Sequence, residues 1–348
     1  MHSFKEGYLN ALTFGLDELT ILKTIGEFRG KQELYYQQTP EALASLQKAS
    51  MIESSESSNR IEGVVAPHYR IEKLVLKNAE PKNRSEQEIA GYRDALSLIH
   101  DASEHMPFSV NVILQLHSML YRFHSAKGGH SKLTDNEIIE NLPDGTKHVR
   151  FKPTTAVATP QAMEDLISGF MNAKEKNDLE SLVIIPLAIL DFLCIHPFRD
   201  GNGRAARLIT LLLLYHFNYQ VGKYISLERI IEESKETYYE ALGASSAGWH
   251  EGKHNVHPWL NYFWGMLMAA YQEFEDRVGT IKKGKGFKTE QVILAVDKKI
   301  GAFSIADIEQ ACPGVSREMI RKVFRELRDE GKIKSIGTGR GAKWVKSQ

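Results

Sequence analysis

The sequence has little cysteine, no net charge and no long unbroken apolar run. Cys194 and Cys312 are the two cysteines among 348 residues, which excludes a disulfide framework and suits a reducing compartment. Basic and acidic residues number 44 each, which argues against a protein that coats nucleic acid along its whole length. Pro186 and Asp191 interrupt the most apolar stretch, and the first residues lack the basic-then-apolar pattern of a signal peptide. We therefore expect a cytoplasmic protein that does not cross a membrane.

The composition is that of a globular protein with an uneven distribution of charge. Apolar residues make up 42% and charged residues 25% of the chain, which is enough to bury a core in two or three domains. Residues 281–348 contain 16 lysines and arginines against 8 acidic residues, so the C-terminal part is basic and the rest is acidic.

A glycine-rich segment, residues 196–207, lies between two apolar runs, 182–195 and 208–219. The length and leucine content of these runs predict two buried helices with a short turn between them. Gly201 and Gly203 allow unusual torsions and close approach to the backbone. The start of the second helix therefore offers free N–H groups and the positive end of its dipole to an anion.

The polar residues of this segment point to a polyanion such as a triphosphate. Arg204 and Arg207, three residues apart, share one face of the first helical turn, where the dipole disfavours cations unless an anion binds. Asn202 has an amide that suits phosphate oxygens, and Asp200 is a suitable ligand for Mg²⁺. His196 is the candidate general base, because an imidazole titrates near neutral pH.

The segment resembles the Fic family signature, His-x-Phe-x-Asp/Glu-Gly-Asn-Gly-Arg-x-x-Arg, at every specified position. Fic proteins typically transfer AMP from ATP to a hydroxyl group of another protein. The resemblance implies that His196 deprotonates the target hydroxyl. The other signature residues would build the nucleotide site: Phe198 beneath the loop, Asp200 on Mg²⁺, Asn202 on the phosphates, Gly201 and Gly203 as the anion nest, and Arg204 and Arg207 on the outer phosphates.

A second motif lies at the end of a helix that we predict from Pro40 to Ile61. Glu62 follows this helix where its dipole disfavours an anion, so a cationic partner is expected. Ser58, Glu62 and Gly63 resemble the Fic inhibitory motif Ser/Thr-x-x-x-Glu-Gly/Asn. That resemblance implies that Glu62 pairs with Arg207 and keeps the γ-phosphate from its productive position. From the residues alone, a solvated glutamate beside Arg60 is the alternative.

Residues 124–160 change character and predict a β-hairpin turning at Asp144-Gly145. In Fic proteins a hairpin flap precedes the signature and aligns an extended segment of the target. The resemblance makes Val149, Arg150 and Phe151 the candidate docking residues. Lys132 departs from the family, which often has an arginine near this position.

Two further patterns carry alternative interpretations. Tyr238 and Tyr239 lie in a helix predicted over residues 226–242, either as half-buried packing or, by resemblance to Fic proteins, beside the nucleotide. His250-Glu251-Gly252-Lys253-His254 fits the zinc-protease pattern, but a glycine in its centre and loop-like surroundings argue against a zinc site.

The C-terminal residues predict three short helices and a strand–turn–strand, the order of a winged helix-turn-helix. Its third helix carries a basic face, and Arg340 lies on the wing, so the domain suits either DNA or a protein partner. The basic residues of the helix are Arg317, Arg321, Lys322, Arg325 and Arg328.

Together these features predict a mainly α protein with a Fic helical core, a small β-hairpin flap and a C-terminal winged helix-turn-helix domain. The predicted domains are 1–84 with the inhibitory helix, 85–278 as the catalytic core, and 287–348 as the winged helix. The expected activity is autoinhibited AMP transfer from Mg·ATP to Ser, Thr or Tyr hydroxyls of a target protein or of the chain itself. The alternatives are a DNA-binding regulator with a nucleotide-sensing core, or an enzyme that removes AMP or transfers another phosphate-containing group. Homodimerisation is left open.

Overall fold

The computed structural model describes residues 2–38, 40–125, 127–141, 146–176, 180–279, 287–297, 299, 301–312, 315–337 and 342–347. They form a mainly helical protein, as predicted. Its helices are α1 Glu6–Leu9, α2 Leu16–Gln38, α3 Pro40–Ile61, α4 His68–Lys77, α5 Arg84–Ala102, α6 Val110–Leu120, α7 Thr159–Lys176, α8 Ser181–Ile195, α9 Asn202–His216, α10 Leu227–Glu233, α11 Lys235–Ser246, α12 His257–Gly279, α13 Phe287–Asp297, α14 Ile305–Ala311 and α15 Arg317–Asp329. Its strands are β1 Ile138–Asn141, β2 Lys147–Phe151, β3 Phe303–Ser304, β4 Ile333–Ile336 and β5 Lys343–Lys346.

The chain divides into two compact units, Met1–Gln32 with Ser50–Tyr271, and Glu33–Ala49 with Gln272–Gln348. Residue 84, the predicted end of an N-terminal region, does not separate the units. The reason is that α4 packs on α5 through a buried cluster of Ile71, Leu74, Ile89 and Ala90. Residues 50–84 therefore share the core of the first unit.

Two fully buried helices, α8 and α9, form the centre of the first unit. Every residue of α8 is buried, and on α9 only Gly203 and His216 are less than fully buried. Pro186 lies inside α8 and has no N–H to donate to the carbonyl of Leu182, one turn earlier. The indole N–H of Trp264, on α12, donates to that carbonyl at 2.7 Å instead. The carbonyl that the internal proline leaves without a helical donor is thereby hydrogen-bonded by a neighbouring helix.

The predicted hairpin is present as β1 and β2, which pair antiparallel with an irregularity between Ile138 and Ile139. Its predicted turn, Asp144-Gly145, lies outside the described residues. Phe151, at the end of β2, stacks on the ring of His250 at 5.4 Å. This contact attaches the hairpin to the loop that follows α11.

Two helix predictions are corrected by the structure. Helix α5 begins at Arg84 with Asn83 as its N-cap, since Asn83 Oδ1 accepts a hydrogen bond from Glu86 N at 3.0 Å. The Ser-x-x-Glu spacing of Ser85 and Glu88 predicts a capping box that starts at Ser85, and this prediction is therefore wrong. The single helix predicted over residues 226–242 is two helices, α10 and α11, because the chain leaves the helical path at Ser234 (φ −113°, ψ 30°).

The second unit contains the three helices and two final strands expected of the C-terminal domain, and a further short strand, β3, lies before α14. Strands β3, β5 and β4 form a three-stranded antiparallel sheet in that order, and its core includes Phe303, Phe324 and Ile333. Five basic residues are exposed on α15: Arg317, Arg321, Lys322, Arg325 and Arg328. Arg340 and the rest of the predicted wing tip lie outside the described residues. No helix in the described part of the chain is both long and apolar enough to cross a membrane.

Candidate active site

His196 lies directly after α8 and ends it in a left-handed conformation (φ 52°, ψ 61°). This region is unusual for a residue with a side chain, and such strain is frequent at functional sites. Its Nδ1 lies 3.3 Å from the carbonyl oxygen of Leu193. The pKa of His196 is lowered to about 4, mainly because the ring is buried. The hydrogen bond to Leu193 and the charge of Glu62 oppose this effect, whereas the cations Lys132 and Arg150 add to it. The imidazole is therefore neutral at physiological pH, as a base must be.

The loop after His196 is held by its own side chains. Asn202 Oδ1 accepts from Phe198 N at 2.9 Å, and Asn202 Nδ2 donates to Phe198 O at 2.8 Å. The Phe198 ring is fully buried and stacks on the His117 ring with centroids 3.6 Å apart. Phe198 thus lies beneath the loop. Both polar atoms of Asn202 are engaged by the backbone in this state, so its contact with phosphate remains a prediction.

Asp200 is the exposed acid of the loop. Its carboxylate accepts hydrogen bonds from Gly201 N at 2.7 Å and from the Tyr121 hydroxyl at 3.0 Å. Partial burial raises its pKa, but the charge of Arg204 and these hydrogen bonds lower it by more, so the net pKa lies below the ordinary value. An ionised carboxylate that is 64% exposed suits a divalent cation such as Mg²⁺.

The second signature arginine, Arg207, is buried and paired with the end of α3. Arg207 Nη2 donates to Glu62 Oε1 at 2.8 Å and to the Ser58 carbonyl at 2.8 Å, and Nε donates to the Ser58 hydroxyl at 2.8 Å. The pKa of Arg207 is raised, because the attraction of Glu62 outweighs burial. Gly63 takes a left-handed φ of 80° just after Glu62 and ends the helical segment.

The Glu62 carboxylate also occupies the start of α9. A Cβ on Gly203 would overlap Glu62 Oε1, so the absence of a side chain there lets the acid reach the helix N-terminus. Gly201 caps that helix with φ 81°, which glycine adopts without strain. Glu62 therefore lies close to the start of α9 and binds the nearby guanidinium of Arg207.

Arg204 faces a different partner from Arg207. Its Nη1 donates to Glu88 Oε2 at 2.6 Å, and this pair is almost completely buried. Arg204 also lies over the Tyr121 ring, with its guanidinium carbon 5.7 Å from the centroid. In this state Arg204 joins α9 to α5, and its predicted grip on the outer phosphates remains a prediction.

One cavity of about 430 Å³ brings part of the predicted site together. Arg150 and Arg207 line it with His196 and Glu62. Arg150 Nε is buried without a hydrogen-bond partner among the described residues, and its guanidinium lies over the Tyr239 ring at 5.7 Å. The lining residues are Glu62, Glu137, Ile138, Ile139, Arg150, Leu193, His196, Gly203, Arg207, Tyr238, Tyr239 and Leu242.

The remaining predicted residues are placed less directly. Val149 pairs with Ile139 across the hairpin, and Phe151 packs against His250, so neither lines the cavity as Arg150 does. Tyr238 lies on the wall of the cavity and is buried, with its ring edge-to-face on Trp259 at 5.5 Å. Both tyrosines line the cavity, and their contact with a nucleotide stays a prediction.

The zinc-protease pattern forms no metal site in the described structure. His250 Nε2 lies 2.7 Å from the Lys152 carbonyl, and His254 Nε2 lies 2.9 Å from the Ser3 hydroxyl. No described group of three or more His, Cys, Asp or Glu residues could hold a metal ion. Both histidines instead attach other segments to the loop after α11.

Sequence reasoning did not find several residues that hold the site. His117 supports Phe198 by stacking and contacts the Asp200 carbonyl at 3.0 Å through Nε2, while Glu88 neutralises Arg204. Each lies on another helix and far from the signature along the chain. His117 falls on the apolar face of α6, the one signal that could have marked it as buried.

Residues 107–214 of this chain match the model of the Fic/DOC family. The chain is 22% identical over 208 residues to the protein adenylyltransferase fic-1 of Caenorhabditis briggsae, a stretch that is 58% of this chain. That stretch is 36% of the relative, so the match spans little more than a third of that protein.

Solved structures share the fold at low sequence identity. A Fic family protein from Desulfovibrio desulfuricans G20 matches with a TM-score of 0.62 and 21% identity over 97% of each chain. A Fic domain containing signaling protein from Bacteroides thetaiotaomicron matches with a TM-score of 0.63 and 20% identity, over 75% of this chain and 99% of that one. Fic-1 from C. elegans matches with a TM-score of 0.61 and 18% identity, over 76% and 74% of the two chains.

Proposed function

We propose that this chain is an autoinhibited protein adenylyltransferase, which transfers AMP from ATP to a Ser, Thr or Tyr hydroxyl of a target protein or of itself. One observation carries the proposal: Glu62 binds Arg207 and lies against Gly203, at the start of α9, in the same cavity as His196. A base, an anion site and a residue that competes for that site are thus contiguous. The name of the C. briggsae relative, protein adenylyltransferase, supports the same reaction.

In this reaction the buried, neutral His196 accepts the proton of the target hydroxyl. Since Nδ1 faces the Leu193 carbonyl, Nε2 is the nitrogen available as the acceptor. The hydroxyl oxygen bonds to the α-phosphorus, the bond to the bridging oxygen breaks, and pyrophosphate leaves with the electron pair. Arg207 and the N–H groups at the start of α9 stabilise the phosphate charge once Glu62 withdraws.

Asp200 is the residue that would hold Mg²⁺. It is ionised, largely exposed and next to the start of α9, all of which fit a hard divalent cation. The cation would neutralise phosphate charge on the bound nucleotide.

Mass spectrometry of the intact protein tests the proposal. The Glu62→Gly chain is incubated with ATP and Mg²⁺, alone and with candidate targets, and an added AMP mass on a hydroxyl residue is expected. The His196→Ala, Glu62→Gly chain is the control and should gain no mass. A different added mass would show that the chain transfers another phosphate-containing group. Loss of AMP mass from an AMP-modified substrate would show that the chain removes AMP.

The exposed basic residues of α15 favour a second candidate function, binding of duplex DNA by the C-terminal unit. Arg317 pairs with Glu309 at 3.2 Å and Arg328 with Asp329 at 2.8 Å, whereas Arg321 and Arg325 have no carboxylate partner among the described residues. Phosphate contacts by these two arginines would make binding weaken with salt. Fluorescence anisotropy with a labelled duplex should show this dependence, and the Arg321→Ala, Arg325→Ala chain should reduce its slope. Equal affinity for the duplex at low and high salt would exclude DNA binding through these arginines.

A further inference from the structure

Lys132 is a buried lysine that contacts the backbone on both sides of His196. Its side chain is 5% exposed, and Nζ donates to the Ile195 carbonyl at 3.2 Å, immediately before His196. Its backbone N donates to the Pro197 carbonyl at 2.8 Å, immediately after His196. One residue therefore binds the carbonyl groups of both chain neighbours of the candidate base, Ile195 and Pro197.

Asn136, four residues later, adds two further hydrogen bonds. Its Oδ1 accepts from Lys132 Nζ at 2.8 Å, and its Nδ2 donates to the Phe198 carbonyl at 3.2 Å. The segment 132–136, here named the strap, thus binds three carbonyls close to the base, those of Ile195, Pro197 and Phe198.

The conformation of His196 explains why such a grip is needed. Its left-handed φ of 52° is costly for a residue with a side chain, on the order of 1 kcal/mol or more, and persists only where surrounding contacts impose it. The end of α8 also leaves carbonyls without helical donors and presents the negative end of its dipole. An ammonium group at that point donates hydrogen bonds to the free carbonyls and places a positive charge at the negative end of the dipole.

The charge of Lys132 is directed to the loop rather than to an acid. No carboxylate forms an ion pair with Lys132 in the described part of the chain, and Asp135 Oδ1 instead accepts from Ala156 N at 2.7 Å. Burial lowers the pKa of Lys132 to about 8, with Asp135 opposing that effect, and the positive charge in turn lowers the pKa of His196.

We propose that Lys132 and Asn136 are positioning residues that fix the His196 imidazole over the cavity, a role in catalysis that rests on the proposed AMP transfer. Neither is among the described residues that line the cavity, and both act through the backbone of the His196 loop.

Transfer kinetics in the Glu62→Gly chain test this role. Lys132→Met should lower kcat roughly 10- to 100-fold, the size expected when a catalytic group is displaced, while KM for ATP changes by less than about threefold. Lys132→Arg, which keeps a cationic donor, should restore most of kcat. Lys23→Met is the matched control, because Lys23 lies on α2 with its side chain 77% exposed. An unchanged kcat in Lys132→Met would overturn the proposal.

A second measurement separates this proposal from the proposed function. The titration of His196 is followed by NMR of the imidazole in the full chain with no nucleotide, where Glu62, Arg150 and Lys132 are the charged groups that act on it. Lys132→Met should raise the pKa of His196, and Lys132→Arg should not. This result supports the strap even if no AMP transfer is found, whereas equal titration in all three chains refutes it.

If Lys132→Met fails to fold, judged by its thermal melt, Asn136→Ala takes its place. That variant keeps the lysine charge and removes the bond to the Phe198 carbonyl, so kcat should fall with little change in the pKa of His196. Retention of full kcat in Asn136→Ala would contradict the proposal.

Discussion

Glu62 Oε1 accepts a hydrogen bond from Arg207 Nη2 at 2.8 Å and lies against the Cα of Gly203 at the start of α9. An acid at that place is favoured by the helix dipole and by the guanidinium together. The same two features suit the phosphate of a nucleotide. Since one anion site cannot hold both groups, the Glu62 contact is an intramolecular competitor for the candidate nucleotide site.

Removal of this competitor should activate self-modification. Glu62→Gly is expected to raise the rate of AMP incorporation roughly 10- to 100-fold, the equilibrium equivalent of losing one charge-assisted hydrogen bond. Incorporation is measured with ATP labelled in its α-phosphate. Glu56→Gln is compared with Glu62→Gln as a matched pair, because Glu56 lies on the same helix and binds Arg60 and His68 instead. Equal rates in the two glutamine variants would count against autoinhibition.

The buried pair of Arg204 and Glu88 should matter more for stability than a second ion pair at the same carboxylate. Glu88→Gln removes the nearer of the two carboxylates that face an almost completely buried guanidinium and leaves Asp200 at 3.7 Å, and we expect it to lower the free energy of unfolding by about 2–4 kcal/mol. Arg84→Ala removes the other partner of Glu88. Because the Arg84 side chain is 70% exposed, this change should alter the free energy of unfolding little. Urea unfolding of both variants checks the contrast, and similar losses would refute it.

Buried neutral histidines should make the first unit sensitive to acid. Burial lowers the pKa of His100 to about 3, and that of His117 and His254 to about 4, below the unfolded value of 6.5. Each takes up a proton on unfolding between its folded and unfolded pKa, so stability falls as pH drops from 6.5 towards 4. Between pH 6 and pH 4.5, the free energy of unfolding should fall by about 1.4 kcal/mol less per pH unit in His100→Gln than in the unchanged chain. Urea unfolding measures this difference. Parallel curves would contradict this.

Asp191 should show the opposite dependence on pH. It is fully buried in α8, and burial raises its pKa to about 6, although Oδ1 accepts from Ser3 Oγ and Trp249 Nε1, both at 2.5 Å. Because the folded pKa exceeds the unfolded 3.8, ionisation costs stability above pH 6 and nothing below pH 3.8.

Asp191→Asn retains an oxygen that accepts both bonds and cannot ionise. The change in the free energy of unfolding caused by Asp191→Asn should be about 1–3 kcal/mol more favourable at pH 8 than at pH 4. Urea unfolding of both chains at each pH measures it. A gain of the same size at both pH values would show that the carboxyl does not titrate as described.

The fold class could be predicted because its signals are local. The apolar runs of α8 and α9, the glycines between them and the serine that caps α6 each act on their own neighbours along the chain. The errors lie at helix ends, where Asn83 replaced Ser85 as the cap and Ser234 split a predicted helix. Competing caps a few residues apart differ by small free energies, and packing decides between them.

Sequence by itself determined the chemistry of the candidate site, because a base, an acid, two glycines and two arginines in one short segment can form only a compact loop at a helix start. Tertiary structure alone decided how those groups are engaged. It set Arg204 against Glu88 and Arg207 against Glu62, and it placed Lys132 on the carbonyls beside His196. Such partners are distant along the chain and depend on which helix faces pack together, so no local pattern specifies them.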